Sequence, residues 1–109
     1  MTYDWDSAKS DRNLAQGGFE FASQIFTATS VEFDDARRDY GERRVVALGL
    51  ADAIPLTVVF TDRLASNGAI VRRIISASLS HRKERRRYAE AIEQARAPRD
   101  GEDADEGSR

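Results

Sequence analysis

The chain has no cysteine, which excludes a disulfide scaffold, thiolate catalysis and cysteine-ligated zinc. Its one histidine, His81, excludes a multi-histidine metal site. No apolar run approaches the roughly 20 residues needed to cross a bilayer. The opening Met1-Thr2-Tyr3-Asp4-Trp5-Asp6 has neither the cationic nor the apolar region of a secretion signal. The expectation is a cytoplasmic protein that uses no metal or other cofactor and no membrane. Net charge is also nearly absent: 17 Lys and Arg against 19 Asp and Glu leave −2. A globally basic protein attracts nucleic acid indiscriminately, so any positive charge that matters here is local.

Large apolar side chains are missing throughout 97–109, which contains five acids and two arginines. Such a segment cannot bury enough surface to offset its ordering entropy, and it is expected to be a disordered acidic tail. Without it the formal charge becomes +1. Residues 1–96 are expected to form one domain with a small core.

The pattern along those residues changes period twice. Asp6 or Ser7 can cap a first helix that Gly17-Gly18 would end. Phe21, Ala22, Ile25 and Phe26 have helical spacing and predict a second, from about Glu20 to Thr27. From Val31 the period is two, except that Val45–Leu50 is a nearly continuous apolar run of the kind covered on both faces. Val31 and Phe33, Val45–Leu50, Leu56–Thr61 and Ile70–Ala77 read as four strands, with Asn67-Gly68 at a tight turn. Their connections are too short for parallel crossovers, so a four-stranded antiparallel meander is expected. Ser80 can cap a last helix running to about Ala95, with Tyr88, Ile92 and Ala95 on the face toward the sheet. The fold class is α+β: two N-terminal helices, the meander and a C-terminal helix.

Charge concentrates where the last strand meets the last helix. Arg72 and Arg73 are adjacent in a strand and must point to opposite faces. Arg82-Lys83-Glu84-Arg85-Arg86-Arg87 follows at a helix start, where free backbone N–H groups already favour anions. Cations there weaken an isolated helix by a few tenths of a kcal/mol each, roughly, so a compensating anion is called for: a phosphate backbone or an acidic partner. His81, Glu84 and Tyr88 are the groups nearby that can move protons. Each also has a plain alternative: an exposed first-turn residue, an intrahelical partner of Tyr88 or Arg87, and a core residue. Asp34, Asp35, Asp39 and Glu42, interrupted by Arg37 and Arg38, read as a solvated loop rather than a metal site.

Several strings are similar to the BrnT family, toxins of bacterial type II toxin–antitoxin pairs. Tyr3-Asp4-Trp5-Asp6-Ser7-Ala8-Lys9 resembles the family's opening, and Asn13-Leu14 with Gly18 and Phe21 its Asn-Leu-x-x-x-Gly-x-x-Phe. Arg43–Leu50 and Leu56–Thr61 resemble its next two strands. Arg73–Ala77 and Arg82–Tyr88 resemble its closing signature. The resemblance implies a RelE-like fold and a ribonuclease that arrests translation. It also implies a ribbon-helix-helix antitoxin as partner in a hetero-oligomer that meets operator DNA only through the antitoxin.

On that basis Arg73, Glu84 and Tyr88 are assigned to catalysis. Arg72, Arg82, Lys83 and Arg86 are assigned to RNA phosphates, with no metal. Two departures stand out: Gln16-Gly17 where the family has Lys-His, and Ser78-Leu79 where it has Arg-Lys. They open a second reading, a catalytically weakened homologue that holds an antitoxin and tunes repression. Direct DNA binding is a weaker third, because no helix-turn-helix partner accompanies the basic helix.

Overall fold

The apolar stretches between Val31 and Leu79 make four consecutive strands: β2 (Val31–Asp34), β3 (Val45–Ala51), β4 (Ile54–Leu64) and β5 (Ile70–Leu79). Each pairs antiparallel with the next, with Phe33 opposite Val46, Val46 opposite Val59 and Val59 opposite Ser76. The computed structural model describes residues 1–13 and 17–96; the expected tail, 97–109, and Gln16 lie outside them. The expected four-stranded antiparallel sheet needs a correction. A further strand, β1 (Thr2–Asp4), lies parallel to β5 with Tyr3 opposite Arg72, giving a five-stranded mixed sheet ordered β1-β5-β4-β3-β2. Short connections govern strands adjacent in sequence; β1 and β5 have nearly the whole fold between them, ample for a parallel crossover.

Between β1 and β2 run α1 (Ser7–Asn13), α2 (Gly18–Ala22) and a 3₁₀ turn, Ser23–Thr27. The second expected helix is thus half α and half 3₁₀. Asp6 caps α1 by accepting the Lys9 N–H at 3.1 Å, a bond that holds its carboxyl below the ordinary range. Gly18 is needed where it stands. Its φ is +57°, and a Cβ there would come 2.4 Å from the Ser10 carbonyl oxygen. The same closeness lets the Phe19 N–H donate to Ser10 Oγ at 2.8 Å.

α2 and the 3₁₀ turn cover one face of the sheet. Phe19, Ala22 and Ile25 pack there on Val45, Ala47, Leu56, Val58, Phe60, Ile74 and Ala77, with Trp5, Tyr3 and Phe26 closing the margin. Ile74 and Ala77 both reach this core because Ile75 is an extra residue: Phe60 pairs with Ile74 but Val59 with Ser76. The other face carries a smaller cluster of Val46, Leu48 and Val59, flanked by Val31, Phe33, Ile75 and Tyr88. The C-terminal helix α3 (Arg82–Arg96) lies over the β2–β3 side of it, and none of its residues is fully buried. Among the described residues no helix is long and apolar enough to cross a membrane.

Candidate nucleic-acid interface

The joint between β5 and α3 is held by buried hydroxyls. Ser80 Oγ and Thr57 Oγ1 are 2.8 Å apart, and the Ser80 N–H donates to the Pro55 carbonyl at 3.0 Å. Ser80, expected as the helix cap, is therefore an anchor, and the cap position falls to His81. The His81 N–H donates to Glu84 Oε1 at 2.7 Å, the return half of a capping box. Three further contacts dock the helix. Arg85 Nη1 donates to the Ser80 carbonyl at 2.7 Å, and the Arg87 guanidinium sits 3.5 Å from the centre of the Phe33 ring. The Tyr88 hydroxyl reaches the Thr29 carbonyl at 3.4 Å.

What remains on the outer side of the first turns is Arg82, Lys83 and Arg86, all exposed. Among the described residues none of them has a carboxylate within ion-pair distance, although Glu84 and Glu90 lie on the same helix. The contrast with the rest of the fold is sharp. Six arginines of the sheet and its loops, Arg37, Arg43, Arg44, Arg63, Arg72 and Arg73, are each paired with an acid. A body close to neutral thus gathers several uncompensated cations on one helix, while Lys9, Arg12 and Arg38 are scattered cations also outside any ion pair among the described residues.

The seven residues assigned from sequence do not converge. Arg72 and Arg73 do point to opposite faces. Arg72 lies on the core face, its side chain only 14% exposed. Asp62 binds it through two bonds of 2.8 Å, and its guanidinium is 3.9 Å from the Phe60 ring centre and 4.8 Å from that of Phe26. The Asp62 bonds push its pKa upward, so its charge is permanent and already spent. The sheet separates it from Arg82, Lys83 and Arg86.

Arg73 shares the face of α3 but is tied to Asp4. It stands seven residues before Ser80, roughly 23 Å along the strand. Arg73, Glu84 and Tyr88 line three separate depressions. Tyr88 is half-buried between α3 and Thr29, and His81 is exposed.

The loop after β2 holds the feature that sequence reasoning missed. Read as solvated, Asp35 has a side chain only 1% exposed. It accepts from Arg37 Nε and Nη2 at 2.8 and 2.7 Å, from the Arg37 N–H at 3.2 Å and from the Tyr40 hydroxyl at 3.1 Å. The bonds from Arg37 hold its carboxyl far below the usual range and raise the pKa of Arg37. Arg44 stacks 4.0 Å from the Tyr40 ring centre. A signal existed: Asp-x-Arg is a spacing at which a carboxylate can bind a near neighbour's guanidinium and backbone together. This knot shapes one wall of a cavity of about 200 Å³ beside the first turn of α3, lined also by Phe33, Val46, Thr57, Val59 and Glu84.

Of the four departures from the family pattern, Gly17 has φ +93°, a backbone that strains any histidine placed there. Ser78, opposite Thr57, faces the α3 side, and Leu79 is left 61% exposed. A family model described as ribonuclease toxin, BrnT, of type II toxin–antitoxin system matches residues 5–84, from Trp5 beside the core to Glu84 in the capping box. No curated protein matches the chain. The match takes in all of the sheet from β2 to β5, both N-terminal helices and the joint to α3, so the chain belongs to the BrnT family of ribonuclease toxins of type II toxin–antitoxin systems.

Proposed function

We propose that this protein is a toxin that cleaves RNA without a metal, in the RelE-like manner, and that a ribbon-helix-helix antitoxin neutralises it. The observation that carries the reading is the row Arg82, Lys83 and Arg86, without an ion pair among the described residues, on a fold where six arginines of the sheet and its loops are paired with acids. RNA cleavage through a 2′-hydroxyl develops extra negative charge on a phosphorane, and fixed cations stabilise it without a metal. Arg82, Lys83 and Arg86 hold phosphates. Arg72 leaves the assignment, because Asp62 and two rings consume it on the far face. Of Arg73, Glu84 and Tyr88, Glu84 is the one adjacent to those cations, and it meets the bound chain.

The antitoxin, an acidic partner, covers the same cations and leaves DNA contact to its own ribbon-helix-helix module. A second reading, a weakened homologue kept for antitoxin binding, is favoured by the neutral Ser78 and Leu79 where the family carries Arg-Lys. Inducing the protein alone in a bacterial host separates the two. Growth arrest with loss of RNA supports the nuclease. Unimpeded growth, restored to arrest by Ser78→Arg with Leu79→Lys, supports the weakened homologue. Gly17→His is left out of that variant because its left-handed backbone would strain.

A further inference from the structure

We propose that the cavity beside the first turn of α3 is a guanine pocket, and that Glu84 reads the base. The inference rests on the ribonuclease reading above and names what that site selects. At about 200 Å³ the cavity is smaller than the roughly 300–1,000 Å³ of pockets for drug-sized ligands. It suits one flat ring system rather than a nucleotide with its sugar and phosphate. Val46 and Val59 give it an apolar floor, and Phe33 an aromatic wall already stacked under Arg87. Aromatic rings and guanidinium planes are the surfaces on which unpaired RNA bases stack. Arg82, Lys83 and Arg86 stand in the same two turns of helix, where phosphates flanking an inserted base would run.

The polar groups of the cavity decide which base. Glu84 Oε1 accepts the His81 N–H, which fixes the carboxylate and leaves Oε2 and one further lone pair free. A carboxylate wants two adjacent donors. Guanine alone offers them, N1–H beside the N2 amino group. Adenine and cytosine put a bare ring nitrogen next to their amino group, and uracil flanks its one N–H with carbonyls, so each would bring an acceptor against the carboxylate. Arg37, which also lines the cavity, has Nε and Nη2 held by Asp35, which leaves Nη1 to donate to the guanine O6, the neighbour of N1–H on the same edge. An acidic antitoxin side chain is a poor occupant, because Asp34, Asp35 and Glu84 all line the cavity.

The test is titration of the full-length protein with GMP, AMP, CMP and UMP, beside mapping of the cut sites in a mixed-sequence RNA. Expected is GMP binding about tenfold or more tighter than the other three, as a good bidentate pair provides. Glu84→Gln should abolish that preference while the fold persists, since glutamine also serves in a capping box. Phe33→Leu should weaken all four nucleotides alike. Equal affinity for the four, or a GMP preference that survives Glu84→Gln, overturns the pocket. RNA cut with no base preference and no GMP binding removes the pocket and leaves the nuclease. GMP bound selectively with RNA left intact removes the nuclease and leaves the pocket. An antitoxin that occupies the cavity where GMP fails to bind overturns the pocket in favour of a protein ligand.

Discussion

Replacing Arg82, Lys83 and Arg86 together by alanine should change how salt weakens RNA binding, by an amount that can be worked out. On single strands, the logarithm of affinity falls with the logarithm of salt concentration with a slope of about −0.7 per phosphate neutralised. Three cations holding one phosphate each contribute a slope of about −2. Over a fourfold rise in salt, from 50 to 200 mM, that is a loss of about 20-fold in affinity, which the triple variant would not show. The variant should fold at least as well as the parent: alanine is the best helix former, and cations near a helix start oppose its dipole. The matched control is Arg43→Ala with Arg63→Ala, whose charges face Asp34 at 2.8 Å and Glu42 at 3.5 Å. Those cations are already neutralised, so the slope should stay where it was. Fluorescence anisotropy with a short labelled RNA across that salt range gives both numbers. An unchanged slope in the triple variant, or an equal change in the control, would refute the assignment of phosphates to α3.

Two further outcomes concern stability. The β3–β4 turn places Asp52 and Ala53 at φ 51° and 65°, the left-handed pair of a type I′ hairpin, yet neither is glycine. Ala53→Gly should therefore raise thermal stability, by about 1 kcal/mol, against the usual cost of glycine; a fall in the melting temperature would show the turn unstrained. Asp35→Ala strips Arg37 and Tyr40 of their shared acceptor and should cost about 2 kcal/mol, held to that by the 72% exposure of the Arg37 side chain, which water can re-solvate. Because the folded carboxyl titrates below the ordinary value of 3.8, its contribution is fully present above that value and is lost as pH falls through the depressed one. Acid titration of parent and variant should thus bring their stabilities together only at strongly acidic pH; a gap unchanged down that range would contradict the linkage.

Much of the fold was legible because strands leave a local pattern, alternation in Val31 to Asp34 and an apolar run covered on both faces in Val45 to Leu50. Val45 to Leu50 and Leu56 to Thr61 could hardly be anything else, and Asn67-Gly68 marks its own turn, with Gly68 at φ +87°. Three things were not legible, each for a physical reason. β1 is three residues long and draws its stability from a partner almost 70 positions away, which no local period reports. The bulge at Ile75 breaks alternation in β5, so counting by twos misplaces whatever follows it. At Ser80 the hydroxyl had two uses open to it, a cap or a tertiary bond to Thr57, and only the packed sheet decides between them.

The candidate site divides along the same line. That Arg72 and Arg73 oppose each other follows from strand geometry alone. Which arginines are spent and which are available depends on acids far off in sequence, Asp62 for Arg72 and Asp4 for Arg73. Glu84 shows the limit differently. Read as an intrahelical partner of Tyr88 or Arg87 below a Ser80 cap, it instead accepts the His81 N–H, and its place on a cavity wall was not readable because Phe33, Val46 and Val59 come from other strands.

The central claim, RNA cleavage on the unpaired cations of α3, is tested most directly by incubating the purified protein with single-stranded RNA in the presence of a chelator and resolving the products. Expected is cleavage that persists in the chelator, fades as salt rises and disappears in the Arg82→Ala, Lys83→Ala, Arg86→Ala variant. Intact RNA with the parent protein, or cutting that appears only when a divalent ion is restored, would contradict it.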